Sequence, residues 1–464
     1  MNLNRYLYLC FFILCLLSCQ SQDNKKEIEL KTEKKFFSIL FSHNINGETH
    51  PCGCRKFPLG GLPQVAGLIE SIKEESYPFY VDSGDALFPN SVLPDAYAES
   101  LRFGGENIVE AFNKLGLQIF VPGDYDFAQG IEIFNSIVKK KQFPILISNL
   151  AKDSSIDAIK KVEVKINNRS FVFFGFTSPE LIKSPLDSNF ESSLENLKKI
   201  IDKENGKVII LISHAGFQAD KKIATQIPKI DWIIGAHTQS FLQEAEVVGK
   251  TQIGQVLSRN HYLGEIRFDL SNMKVKYFMH EVGDELSKKI KNNPFVAFIE
   301  DHKKKLEEIQ TKEQEKFYAH KTTGPAPTAI SCLECHKKQT KFWYSTSHSL
   351  AYMTLKQAKE DKNRNCIGCH SLNFEKDNGF FTHDQIIKFS QKTDAKTYWK
   401  EFQDSIYTKE SVRLLSSQKR SELSQKWVKL DSKSKVTHNF ANVQCLNCHN
   451  QNSEHPFDMK EKKL

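Results

Sequence analysis

Phe36-Phe37-Ser38-Ile39-Leu40-Phe41-Ser42-His43-Asn44-Ile45-Asn46-Gly47 is a short apolar run that ends in polar residues and a glycine. Such a run, bounded by turn-forming residues, reads as a strand buried on both faces. The pattern returns downstream: Phe79–Val81 before Asp82 and Asp85, Ile119–Val121 before Asp124 and Asp126, then Ile145–Ile147 and Phe171–Phe176. Val208–Ile212 leads to His214, and Trp232–Ile234 to His237 and Gln239. Amphipathic helical stretches separate the runs, so residues 36–283 predict an α/β domain. Metal-binding side chains recur where the strands end, the edge at which open α/β sheets keep their sites. Asn44, Asn46, Asp85, Asp124, His214, His237 and Gln239 are therefore the candidate ligands of one divalent ion, zinc, manganese or iron.

The chain has 464 residues, enough for two domains. Its last third is rich in Lys, Ser and Gln and poor in long apolar runs, so it is expected to bury too little unless a large apolar group fills its middle. Three Cys-x-x-Cys-His motifs stand there: Cys332, Cys335 and His336; Cys366, Cys369 and His370; Cys445, Cys448 and His449. Two thioether bonds need two cysteines on one helical turn, and the adjacent histidine then reaches the iron, so the motifs predict three covalently attached c-type haems. Composition alone gives about 0.01 chance occurrences. A zinc ribbon would leave three adjacent histidines unexplained and one cysteine pair without a partner. His320, His348, His383, His438 and His455 are available for the sixth iron positions, and three of them would suffice; the alternative for each is an ordinary surface residue.

Arg5 precedes an apolar stretch, Tyr6 to Leu17, that is too short to span a bilayer and reads as an export signal. It ends in Leu16-Leu17-Ser18-Cys19, which resembles a bacterial lipobox: residues 1–18 would be removed, Cys19 acylated, and residues 19–35 left as a tether. The expected location is the cell envelope, lipid-anchored and facing the periplasm, on the outer membrane rather than the inner. Of eleven cysteines, Cys10 and Cys15 leave with the signal, Cys19 takes lipid and six sit in the haem motifs. Only Cys52 and Cys54 remain. The net charge of +8 would be offset by haem propionates, so no nucleic-acid partner is expected.

The ordered set of strand-end motifs resembles the metallophosphoesterase superfamily, in its periplasmic, UshA-like 5'-nucleotidase branch. Ile39–Gly47 stands against I-L-H-T-N-D-x-H-G, Asp82-Ser83-Gly84-Asp85 against D-x-G-D, and Gly123-Asp124-Tyr125-Asp126-Phe127 against G-N-H-E-F. Ser213-His214 and Gly235-Ala236-His237-Thr238-Gln239 match S-H and G-G-H-x-[HQ]. The resemblance implies a four-layer sandwich and a two-metal site. Here, however, Asn44 and Asn46 replace the Asp and His that hold the first metal, and Tyr125 replaces the catalytic His. Asp85, Asp124, His214 and His237 would still form one metal site, but a two-metal hydrolytic clamp is compromised.

What the domain gains is Cys52-Gly53-Cys54, directly after the altered motif and followed by Arg55 and Lys56, which favour thiolate. The pair reads as a redox couple or a soft-metal site; a local disulfide or two packed thiols is the alternative. The resemblance extends to this loop, where some UshA-like relatives carry selenocysteine. Farther on, Cys332–His336 followed by Trp343, Ser345, His348 and Ala351 resembles the cytochrome c-554 type multihaem family, which implies that His348 is an axial ligand. Residues 284–327 read as a charged helical linker and 328–464 as a mostly helical cytochrome domain. Cys52 and Cys54 are the candidate catalytic pair, exchanging electrons with the haems. The expected partners are a redox protein or a quinone-linked chain, the membrane, and a small-molecule substrate. Hydrolysis of a phosphate or sulfur ester is the alternative function.

Overall fold

The computed structural model describes residues 25–51, 58–318, 321, 324, 326–333, 335–390 and 395–449. Two compact units form. One comprises residues up to Pro94 together with Leu101–Glu300; the other comprises Asp95–Ser100 and the residues from Asp301 onward.

The first unit is built on two sheets. The five-stranded sheet contains β2 (Phe36–Ser42), β3 (Ser76–Asp82) and β4 (Ile119–Phe120), all parallel, with β11 (Tyr262–Asp269) antiparallel beside β2 and β12 (Val275–Glu281) antiparallel beside β11. The seven-stranded sheet runs β1 (Lys25–Leu30), β5 (Lys161–Ile166), β6 (Arg169–Thr177), β7 (Val208–His214), β8 (Trp232–Ile234), β10 (Thr251–Gly254) and β9 (Glu246–Val248). Period-two alternation on β2 decides what lies where. Phe37, Ile39 and Phe41 face the other sheet and pack with Phe171, Phe173, Ile210 and Ile212. Leu40 faces the opposite way, onto α1 (Leu62–Lys73) and α2 (Ala98–Leu115) through Val65, Leu68, Ile108 and Phe112. The outer face of β6 and β7 is covered by α4 (Leu194–Asp202) and α5 (Phe217–Gln226), which follow the short α3 (Ile131–Ile137). The layers are thus helix, sheet, sheet, helix, the four-layer sandwich expected.

Three local readings change. Residues 25–30, taken as tether, form β1 in register with β5. Ile28 and Leu30 pack on the inter-sheet core, and the intervening lysines and glutamates hid that alternation. Ile145–Ile147 makes only single bridges, to Phe120 and Ile159, rather than a strand. The supposed linker contains α6 (Pro294–Tyr318), and Phe295 and Ile299 are core residues of the first unit with Leu62, Ala66 and Ala111.

The second unit is mostly helical: α7 (Ala329–Cys332), α8 (Lys337–Ser345), α9 (Ala351–Ala358), α10 (Arg364–His370), α11 (Ala395–Ser405), α12 (Ser417–Lys433) and α13 (Cys445–Cys448), with one hairpin of β13 (Ile387–Phe389) and β14 (Val436–Asn439). It has a continuous core of its own, which includes Tyr352, Phe380, Tyr398, Phe402, Trp427 and Phe440. These aromatic residues are scattered singly in the sequence, so no long apolar run announced them. No described helix is long and apolar enough to cross a membrane.

Candidate metal centre and haem-attachment motifs

The loops that leave β2, β3 and β8 hold non-glycine residues in the left-handed region: Asn44 at φ 49°, Asn46 at 57°, Asp85 at 55°, His237 at 68° and Gln239 at 51°. A β-carbon is disfavoured there, and such strain collects at functional sites because the surrounding structure over-determines it. Gly84, at φ 93°, allows the loops to close, since a β-carbon on it would lie 2.2 Å from the Gly123 nitrogen.

Asp85, Asp124, His214 and His237 converge, with one ligating atom from each lying within 4.8 Å of the others. His214 Nε2 is 3.2 Å from both Asp85 Oδ2 and Asp124 Oδ1, and His237 Nδ1 is 3.1 Å from Asp124 Oδ1. His214 Nδ1 donates to the Ser83 carbonyl at 2.6 Å, which fixes the tautomer and aims Nε2 at the carboxylates. Burial alone would lower the proton affinity of His214. The facing Asp85 and Asp124 outweigh it and hold that affinity well above the usual value. Burial likewise opposes the ionisation of Asp124, but its bonds to His214 and His237 keep it below the ordinary carboxylate range. Two carboxylates and two imidazoles attracting positive charge fit one divalent ion of the zinc, manganese or iron class.

Asn44 serves this cluster without joining it. Its Nδ2 donates to Asp85 Oδ2 at 2.8 Å, while its Oδ1 accepts from the His237 backbone N–H at 3.1 Å and from His43 Nδ1 at 2.8 Å. Both ends of the amide are used, so Asn44 positions rather than ligates. Asn46 is buried, and its Oδ1 has no hydrogen-bond partner, which marks a place for a further polar group. Gln239 is half-buried beside the cluster loop. The Tyr125 N–H donates to Asp85 Oδ1 at 2.8 Å.

Two positioning residues were not singled out as such in the sequence. His43 is fully buried; burial takes its imidazole down to about 3, and its Nε2 accepts from the Val256 N–H at 2.9 Å. Asp126 accepts from four backbone N–H groups, those of Asp85, Ala86, Leu87 and Gly123, and so joins the β3 and β4 loops. The signal for Asp126 was its place in the third motif, where the resemblance keeps an acid.

In the second unit each cysteine motif forms a helical turn. The His336 N–H donates to the Cys332 carbonyl at 3.1 Å, the His449 N–H to the Cys445 carbonyl at 2.9 Å, and Cys366 to His370 lie within α10. His370 Nδ1 donates to the Ala351 carbonyl at 2.7 Å, which fixes the orientation of the ring. These turns fit covalent haem. The Cys332 and Cys445 thiols lie within hydrogen-bond reach, so the first and third motifs are neighbours. His348 is exposed on the turn Ser347–Leu350. His383 is mostly buried between Asp361 and Asp384, which hold it protonated more strongly than usual although burial opposes this. His438, on β14, stacks on Phe440 with ring centroids 5.8 Å apart. Cys19, Cys52, Cys54, His320 and His455 lie outside the described residues.

Comparison with known proteins agrees with both halves. Residues 331–397 match the family model of cytochrome c554 and c-prime. The 5'-nucleotidase of Bos taurus is 26% identical over 202 residues, covering 40% of this chain and 33% of that protein. The metallophosphoesterase YunD of Bacillus subtilis is 26% identical over 228 residues, covering 46% of this chain and 47% of that one. The chain thus spans between a third and a half of the length of these relatives. A Staphylococcus aureus structure described as a 5'-nucleotidase superposes with a TM-score of 0.50 at 16% identity, covering 70% of this chain and 67% of that one, and shares the fold. The chain combines a 5'-nucleotidase-like, metallophosphoesterase-like unit with a cytochrome c554-like segment.

Proposed function

We propose that this protein is a membrane-tethered multihaem cytochrome that moves electrons to or from a thiol- or sulfur-type redox site in its phosphoesterase-like unit. The observation that carries the reading is the altered metal centre. Asp85, Asp124, His214 and His237 fit one ion, while the amide of Asn44 is spent on Asp85, His43 and His237 instead of holding a second. Hydrolysis of phosphate esters in the two-metal manner stabilises attacking and leaving oxygens together, and this unit retains half of that clamp. Cys52 and Cys54 follow the altered loop in the chain, next to Arg55 and Lys56, and supply the redox chemistry that the metal site does not.

The ion, when bound, supplies Lewis acidity toward an anionic substrate. Asp85, Asp124, His214 and His237 would hold it, and Asn44, itself bonded to His43, keeps Asp85 in place. Three haems, held through Cys332/Cys335, Cys366/Cys369 and Cys445/Cys448, connect the site to a redox protein or a quinone-linked chain. Acylation of Cys19 holds the protein at the periplasmic face of the cell envelope, on the outer membrane.

The test is turnover by the full-length protein. Phosphate- and sulfur-ester hydrolysis should stay at background with saturating zinc, manganese or iron, while a sulfur-type donor changes the haem absorbance. Steady hydrolysis of a nucleotide, with the haem spectrum indifferent to every thiol or sulfur donor, would establish the hydrolytic alternative instead.

A further inference from the structure

Asp431 is a carboxylate inside the cytochrome unit, 3% exposed, near the end of α12. Tyr398 Oη donates to its Oδ1 at 2.5 Å, and Asn439 Nδ2 to its Oδ2 at 2.8 Å. Trp427 Nε1 in turn donates to Tyr398 Oη at 2.8 Å, so the acid ends a short buried chain of polar contacts. The titratable groups facing it are Tyr398 from α11 and Tyr344 from α8, and burial raises both, keeping them protonated and neutral. Among the described residues no Lys, Arg or His is bonded to it. A buried carboxylate with two neutral donors and no cation is poorly compensated as an anion. Burial accordingly pushes the Asp431 carboxyl up to about 6.

Its place makes this matter. Asp431 lines a cavity of about 20 Å³, room for one water, walled by Ala329, Ile330 and Leu333 around the first haem motif and by Asn442 and Gln444 just before the third. A charge that arrives at either motif is felt here through a low-dielectric interior. We propose that Asp431 is the proton acceptor coupled to haem reduction in this unit. If a haem held at one of these motifs took one electron from a one-electron donor, ferric to ferrous, one proton from solvent would add to the Asp431 carboxylate. Oxidation returns both. The inference rests on the haem reading above and extends it: electron flow through the first and third motifs carries a proton near neutral pH.

The experiment is a spectroelectrochemical titration of the full, haem-loaded protein from pH 5 to pH 8, in wild type, Asp431→Asn and Tyr398→Phe. In wild type at least one haem midpoint should fall as pH rises, with a bend near pH 6. In Asp431→Asn that dependence should be lost. Tyr398→Phe removes a donor to the carboxylate but keeps the aromatic packing, so the bend should move to higher pH. Protein with haem bound whose pH dependence is the same in all three overturns the inference alone. Protein without covalent haem overturns the haem reading together with it.

Discussion

Asn44 Nδ2 donates to Asp85 Oδ2 at 2.8 Å, so a neutral amide is spent on holding a carboxylate of the cluster. The Asn44 side chain is bonded at both ends within the protein, and among the described residues Asp85, Asp124, His214 and His237 are the ones that present ligating atoms to a common point. Metal analysis of the purified protein should therefore find one divalent ion per chain outside the haems. Asn44→Asp combined with Asn46→His restores two charged or imidazole donors and should raise that figure to two. His214→Ala should lower metal affinity by tenfold or more while leaving the haem spectrum unchanged.

Gly84 tests the same centre through the backbone. Its φ of 93° and the 2.2 Å approach to the Gly123 nitrogen leave no room for a methyl group. Gly84→Ala has to separate the β3 and β4 loops, and with them Asp85 from Asp124. The expected result is loss of the metal together with about 2 kcal/mol or more of stability. Gly104→Ala, where a β-carbon meets nothing within 4 Å, is the control and should leave both metal content and stability intact.

How much of this was legible in the sequence follows from the physics of each part. β2, β3, β4, β7 and β8 announced themselves because strands buried on both faces must be continuously apolar, and the polar residues that end or follow the last four gave the four cluster residues directly. β1 was not legible, because an edge strand needs only Ile28 and Leu30 on its packed face and wears Lys and Glu on the other. The role of Asn44 was also hidden: sequence shows that a ligand was lost, whereas the hydrogen bonds to Asp85 and His237 show what replaced it. The cytochrome unit gave up its haem motifs at once and concealed its core, since Tyr398, Phe402 and Trp427 come together only through helix packing.

Glu265 predicts an acid limit for the first unit. It is fully buried on β11, where burial opposes its charge, but His280, Arg267 and Ser38 outweigh that and hold it down at about 2. In the unfolded chain the same carboxyl titrates near 4.5. A carboxylate with a lowered folded value stabilises the fold above pH 4.5 and loses that contribution as pH falls toward 2, a difference of up to about 3 kcal/mol. Denaturant unfolding of wild type should show midpoints that drop between pH 4.5 and 3. Glu265→Gln should be less stable at pH 7 and flatter across that window.

The second haem motif lies wholly within α10, with His370 oriented by the Ala351 carbonyl. Replacing Cys366 and Cys369 with Ala should reduce the covalent haem count from three to two, measured as pyridine haemochrome per chain. The other two attachment turns, Cys332–His336 and Cys445–His449, begin at the end of α7 and on α13 and should remain loaded.

Electron exchange between the Cys52/Cys54 pair and the haems is the step on which the proposed function depends. Anaerobic stopped-flow mixing of oxidised full-length protein with a thiol or sulfur-type donor should reduce the haems, and replacing both cysteines with Ser should slow that reduction at least a hundredfold without changing haem or metal content. Equal reduction rates in the two proteins would contradict it.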